Sequence, residues 1–124
     1  MFYRRKVLLA LLEAFGGFLT KIDCQKLMFL FCLRRGKMYY DFFPHKYGNF
    51  SLLLSQDIGR LIDLDYLLKQ NDVQLSNGTL YLEQLHAEDR LALKTLVYEV
   101  GDLRGDKLIR KVYLEFPYYA SRSE

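Results

Sequence analysis

The chain has 124 residues, 51% of them apolar, with 18 lysines and arginines against 15 aspartates and glutamates, a net charge of +3. That length fits one domain, 1-124, able to bury a core without staples. So mild a charge nominates no partner by itself, and two prolines with eight glycines exclude collagen-like and linker-rich classes.

The opening "MFYRRKVLLALLEAFGG" imitates a secretory leader in its basic start and apolar run. Its apolar residues instead recur at helical spacing, and Glu13 interrupts them. A first helix is expected from Tyr3 to Phe15, with Leu8, Leu11, Leu12 and Phe15 on one face and Gly16-Gly17 as the stop. A second starts at Thr20, an N-cap with Asp23 three residues on. Cys24, Leu27, Met28 and Phe31 form its inner stripe, and Gly36 ends it after Arg34-Arg35, cations suited to the helix dipole. Cys24 and Cys32 lie about 12 Å apart along that helix, too far for a disulfide. They read as reduced core thiols of a cytoplasmic protein. The longest apolar run, "LMFLFCL", is far short of the about 20 residues that span a membrane, so no membrane association is expected.

The next stretch, about 37-49, is aromatic with a proline inside it and reads as an inserted extended segment ending in a turn. A third helix is expected from Phe50 to Leu64, capped by Asn49, with Leu54, Ile58, Leu61 and Ile62 inward. The period then changes to alternation. Asn77-Gly78 between "VQLS" and "TLYL" predicts a β-hairpin near 73-82, because a type I′ turn needs positive φ twice. A fourth helix follows from Ala87 to Val100, stopped by Gly101, and a fifth from Gly105 to Phe116, stopped by Pro117. The fold class is therefore α+β, mostly α, with about five helices and one hairpin. Its order is winged-helix-like, although a dozen residues separate two helices that a helix-turn-helix joins by 3–4.

Few residues carry a catalytic pattern. His45 and His86 have no partner at ligand spacing, and no Cys-x-x-Cys, His-Glu-x-x-His or phosphate-cradling glycine loop occurs. Cys24 on an apolar face reads as core, not as a nucleophile. "GDLRGDK" at 101–107 reads as a turn with Asp102 as a cap. No enzyme, no metal and no cofactor is expected. For nucleic acid, the third helix is a poor reader: one cation, Arg60, faces Asp57, Asp63 and Asp65. Phosphate contacts supply most nonspecific affinity for DNA, and a negative helix opposes them. The cations placed for phosphate contacts are Arg4, Arg5, Arg104, Lys107 and Lys111. Tyr39, Tyr40, Phe42, Phe43 and Tyr47 crowd one short non-helical segment, and an alternating strand buries about half of them. The remainder is aromatic surface of the kind found at interfaces.

"DCQKLMFLF", then "YYDFFPHKYGNFS" and "LDYL", resembles the Panacea (SocA-like) antitoxin domain and its uncharacterised cousins. The matching residues are Gln25, Lys26, Leu27, Phe29, Lys46, Tyr47 and Gly48, and "RKVYLEFPYYA" is similar to a "YPYYA" element of the cousins. The likeness spans about residues 6–121; Asn49 stands where proline is common. It implies an α-rich, winged-helix-like protein that binds another protein, with no catalytic residues. The combined expectation is a cytoplasmic prokaryotic or phage interaction module, antitoxin-like or a regulatory adaptor. Tyr39, Phe43, His45, Lys46, Tyr47 and Asn49 form its partner-facing or architecture-defining cluster. The partner is a protein, toxin or effector; the alternative is a winged-helix nucleic-acid binder or a small subunit of a defence complex. Homo-oligomerisation stays open.

Overall fold

The computed structural model describes residues 1–45 and 48–120, with the backbone alone described at 45, 48, 119 and 120. Two helices form the centre: α1 (Tyr3–Ala14) and α2 (Lys21–Arg35). Val7 to Leu12 of α1 and Asp23 to Cys32 of α2 are all buried, residue after residue. A helix buried all round is an inner helix, covered by neighbours on every side. The cover comes from α4 (Ala87–Val100), which packs on both, and α5 (Asp106–Glu115), which packs on α2.

The ends of α2 follow local chemistry. The Thr20 hydroxyl accepts the Asp23 amide at 3.1 Å, and Gly36 takes φ 73°, the left-handed conformation that spares it a Cβ clash. Helix α3 (Leu52–Asp63) starts two residues later than expected, and its cap is Ser51, whose hydroxyl accepts the Leu54 amide at 3.1 Å. Asn49 lies before it, in a strand. Asp102 is not a cap either; α5 is entered through Gly105, whose amide donates to Asp23 Oδ1 at 2.9 Å. Pro117 ends α5 and opens a short α6 (Pro117–Ala120), since proline suits a first helical turn.

Among the described residues the strands make two separate antiparallel pairs. In one, β1 (Phe18–Leu19) pairs with β4 (Val73–Gln74). In the other, β2 (Phe43–His45) pairs with β3 (Gly48–Phe50), in the register Phe43 to Phe50, Pro44 to Asn49 and His45 to Gly48. The segment at 37-49 thus ends in a hairpin that closes onto α2.

The hairpin expected near 73-82 does not form. Asn77 and Gly78 lack the positive φ that a type I′ turn requires. The Asn77 side chain instead accepts the Thr79 amide at 2.9 Å, a local turn of its own. "VQLS" pairs backwards: Leu75 donates to Gly17 O at 3.0 Å, and Ser76 to Tyr66 O at 3.1 Å. The Tyr81 and Leu82 amides are taken by Glu13 Oε1 at 2.6 and 2.9 Å. That carboxylate fixes a 3-10 turn at Leu82–Gln84 where a second strand was expected. The architecture is α+β and mostly α, with five longer helices among the described residues.

Candidate functional site

A cleft of about 200 Å³ opens between α2, β3 and α3. Its walls are Ile22, Phe50, Ile58 and Ile62, and its polar members include Gln25, Lys26 and Asn49. Apolar walls with a few convergent polar groups are the usual build of a binding cleft. Gln25 and Lys26 are buried because α2 is an inner helix, so their polar ends need partners from the junction of β3 and α3. Gln25 Nε2 donates to Ser51 O at 3.0 Å, and its Oε1 accepts the Ser51 amide at 2.8 Å. Lys26 Nζ donates to Asn49 O at 2.9 Å. Burial pushes the Lys26 ammonium down to about 8, against the opposing pull of Asp23. Asn49 is buried, yet neither atom of its side-chain amide has a hydrogen-bond partner.

Two buried carboxylates tie the outer segments to the core. Asp57 of α3 accepts Arg4 Nε at 2.8 Å, Arg5 Nε at 3.0 Å and the Tyr40 hydroxyl at 2.7 Å. Asp89 of α4 accepts the Tyr3 hydroxyl at 2.6 Å, the Tyr39 hydroxyl at 2.5 Å and Arg35 Nε at 2.7 Å. Burial raises both carboxyls, but these hydrogen bonds outweigh it and hold them below the ordinary range. Their phenol partners move the other way: burial, then the neighbouring carboxylate, pushes Tyr3 up to about 12 and raises Tyr39 and Tyr40.

These hubs settle the place of several expected site residues. Tyr39 is an architectural residue; its ring stacks on Phe31 at 6.3 Å, and its hydroxyl is spent on Asp89. Phe43 is 45% exposed, with its ring edge-on to Phe50 at 5.9 Å. The backbone of His45 lies in β2, while Lys46 and Tyr47 fall outside the described residues. Asn49 belongs to the cleft. Among the cations, Arg4 and Arg5 are bound to Asp57. Lys111 pairs with Glu99 at 3.1 Å and Glu115 at 2.8 Å, beside Arg34. Arg104 donates to the Gly101 and Leu103 carbonyls and lies over the Phe15 ring at 5.1 Å. Lys107 is exposed on α5. Three of the five cations thus pair with carboxylates, Arg4 and Arg5 sharing one.

Cys24 and Cys32 are free and buried. Burial, helped by Asp23, pushes the Cys24 thiol up to about 12, which leaves it protonated and non-nucleophilic at neutral pH. His86 stacks on Tyr3 at 4.3 Å. Among the described residues no cluster of three metal-ligating side chains occurs, and no helix is long and apolar enough to cross a membrane.

Sequence reasoning took Asp57 as a surface charge and passed over Asp89. A signal was present: Asp57 lies within the apolar stripe of Leu54, Ile58 and Leu61, and Asp89 continues Leu93, Leu96 and Val100 at helical spacing. A carboxylate inside such a stripe is buried and therefore paired. Comparison with known proteins finds no matching family model, no matching curated protein and no matching solved structure.

Proposed function

We propose that the chain is a non-catalytic protein-interaction module, antitoxin-like or a regulatory adaptor, whose partner is a toxin or effector protein. The β2–β3 hairpin carries this reading. It holds Phe43 at the surface against Phe50, and Phe50 joins that ring to a cleft whose rim bears Ile22, 44% exposed. Aromatic and aliphatic surface beside a shaped depression suits a protein partner better than a phosphate backbone. The rival reading, nucleic-acid binding, relies on cations of which Arg4, Arg5 and Lys111 already pair with carboxylates. A salt-sensitive gel shift at low ionic strength would reverse that preference.

The test is affinity purification from a lysate of the source organism with the unmodified chain and Phe43→Ser. The expected result is one protein retained by the first in near-stoichiometric amount and lost by the second, with the fold intact. A chain that stays monomeric and retains nothing under any condition sinks the reading.

A further inference from the structure

Asn49 is the anomaly of the cleft. It is 1% exposed, and both amide atoms, Nδ2 and Oδ1, are unpaired. A buried donor and acceptor left unmade are costly, so such a group calls for something that completes its bonds. Gln25, in the same cleft, displays the arrangement a primary amide seeks: it bonds Ser51 both ways, amide to carbonyl and carbonyl to amide. Asn49 offers the same donor and acceptor to a second peptide group. The charge lining the cleft is one-sided, with Asp23 acting on Lys26 from outside the lining. Lys21 and Lys26 line the cleft, and no carboxylate does among the described residues. The α3 wall is open at Gly59, where a Cβ would meet nothing within 4 Å.

We propose that this cleft receives the C-terminus of a partner polypeptide ending in a branched aliphatic residue. Its last peptide group pairs with the Asn49 amide. The terminal side chain sits among Ile22, Ile58 and Ile62, and the terminal carboxylate faces Lys21 and Lys26. This gives the partner's chemistry within the interaction reading and rests on it. A free N-acyl amino acid carries the same groups, so the probes must separate the two sources.

N-acetyl-leucine, N-acetyl-leucine-N′-methylamide and N-acetyl-lysine are titrated into the labelled protein and followed by NMR at the Asn49 amide and the Ile58 and Ile62 methyls. N-acetyl-leucine is expected to give saturable shifts at millimolar concentration. The neutral methylamide should bind about two- to fivefold more weakly, the worth of one partly exposed charge pair. Asn49→Leu should abolish the shifts while raising the melting temperature, because the unpaired amide is gone. Gly59→Leu, which fills the open wall at a helical position, should abolish them too without unfolding the chain. A hexapeptide with the same C-terminal leucine that binds at least as tightly as N-acetyl-leucine assigns the site to polypeptide termini. One that fails to bind, while N-acetyl-leucine does, overturns the polypeptide assignment. No saturable shift with any probe, equal binding by N-acetyl-lysine, or unchanged binding by both variants overturns the site itself. If N-acetyl-leucine binds but purification retains no protein, the interaction reading fails and the carboxylate site survives; a partner retained equally by Asn49→Leu, with no probe bound, is the reverse.

Discussion

Replacing Asp57 by alanine removes the acceptor that holds the start of α1 against α3 and the segment at Tyr40. The carboxylate is 2% exposed and receives two guanidiniums and one phenol, Arg4 contributing a second bond from Nη2 at 3.2 Å. Truncation leaves Tyr40, itself 1% exposed, with only a long 3.3 Å contact to Arg4 O. Removing one partner of a buried ion pair costs about 3–5 kcal/mol, because the remaining charge stays desolvated. The Arg4 and Arg5 side chains are 27% and 16% exposed and reach water in part, which places the loss near the lower bound. We expect about 3 kcal/mol, or roughly 10 °C in melting temperature for a domain of this size. Tyr40→Phe removes one hydrogen bond to a charged group and should cost about 1.5–2 kcal/mol. Urea denaturation of both single variants and the double variant completes the cycle. The coupling should reach at least about 1 kcal/mol, as partners in one network are not additive. A loss below about 1 kcal/mol for Asp57→Ala, or simple additivity, would refute the claim that this carboxylate is a structural hub.

The acid limb of stability should follow the same groups. Asp57 and Asp89 titrate lower in the folded chain than the about 3.9 of an unfolded aspartate. Their stabilisation is complete above that unfolded value and drains as pH falls through the folded values. Urea midpoints should therefore hold from pH 7 to about 5 and fall from there towards 2, less steeply in Asp57→Asn. Gln25→Leu strips two bonds from Ser51 and leaves its buried amide unpaired, while the carbonyl keeps the Ser55 amide at 3.2 Å, so a loss of about 1–3 kcal/mol is expected by chemical denaturation. A variant as stable as the parent would show that the junction of β3 and α3 holds without this amide. Cys24 and Cys32 should resist a thiol reagent in the folded chain and react in urea at the rate of unfolding. Modification of the folded chain faster than its unfolding would contradict their burial.

The central helices were legible in the sequence because their determinants are local. Thr20 and Gly36 cap α2 from within a turn of its ends, and Gly101, also at positive φ but not left-handed helical, closes α4. Six and ten consecutive buried residues in α1 and α2 were underread as single stripes, since periodicity measures one face and an inner helix has none. The partners of the strands were decided elsewhere. "VQLSNGTLYL" has the local signature of a hairpin, but Phe18 and Leu19 compete for its first half and Glu13 for the amides of its second. Residues some 55 to 70 positions away thus overrule the dipeptide, because a β-pair is stabilised by whichever edge the packed helices bring to it.

The candidate site divides along the same line. The sequence alone marked the 37-49 segment as non-helical and rich in aromatics. It also determined a thiol pair that the helix keeps apart. Only the tertiary structure sorted those aromatics, assigning Tyr39 and Tyr40 to buried carboxylates and leaving Phe43 at the surface. It likewise turned Asn49 from a presumed helix cap into a buried amide, because Ser51 took the cap and β3 carried Asn49 inward against α2. Caps and periods are properties of neighbouring residues, while burial and partner choice belong to the assembled chain.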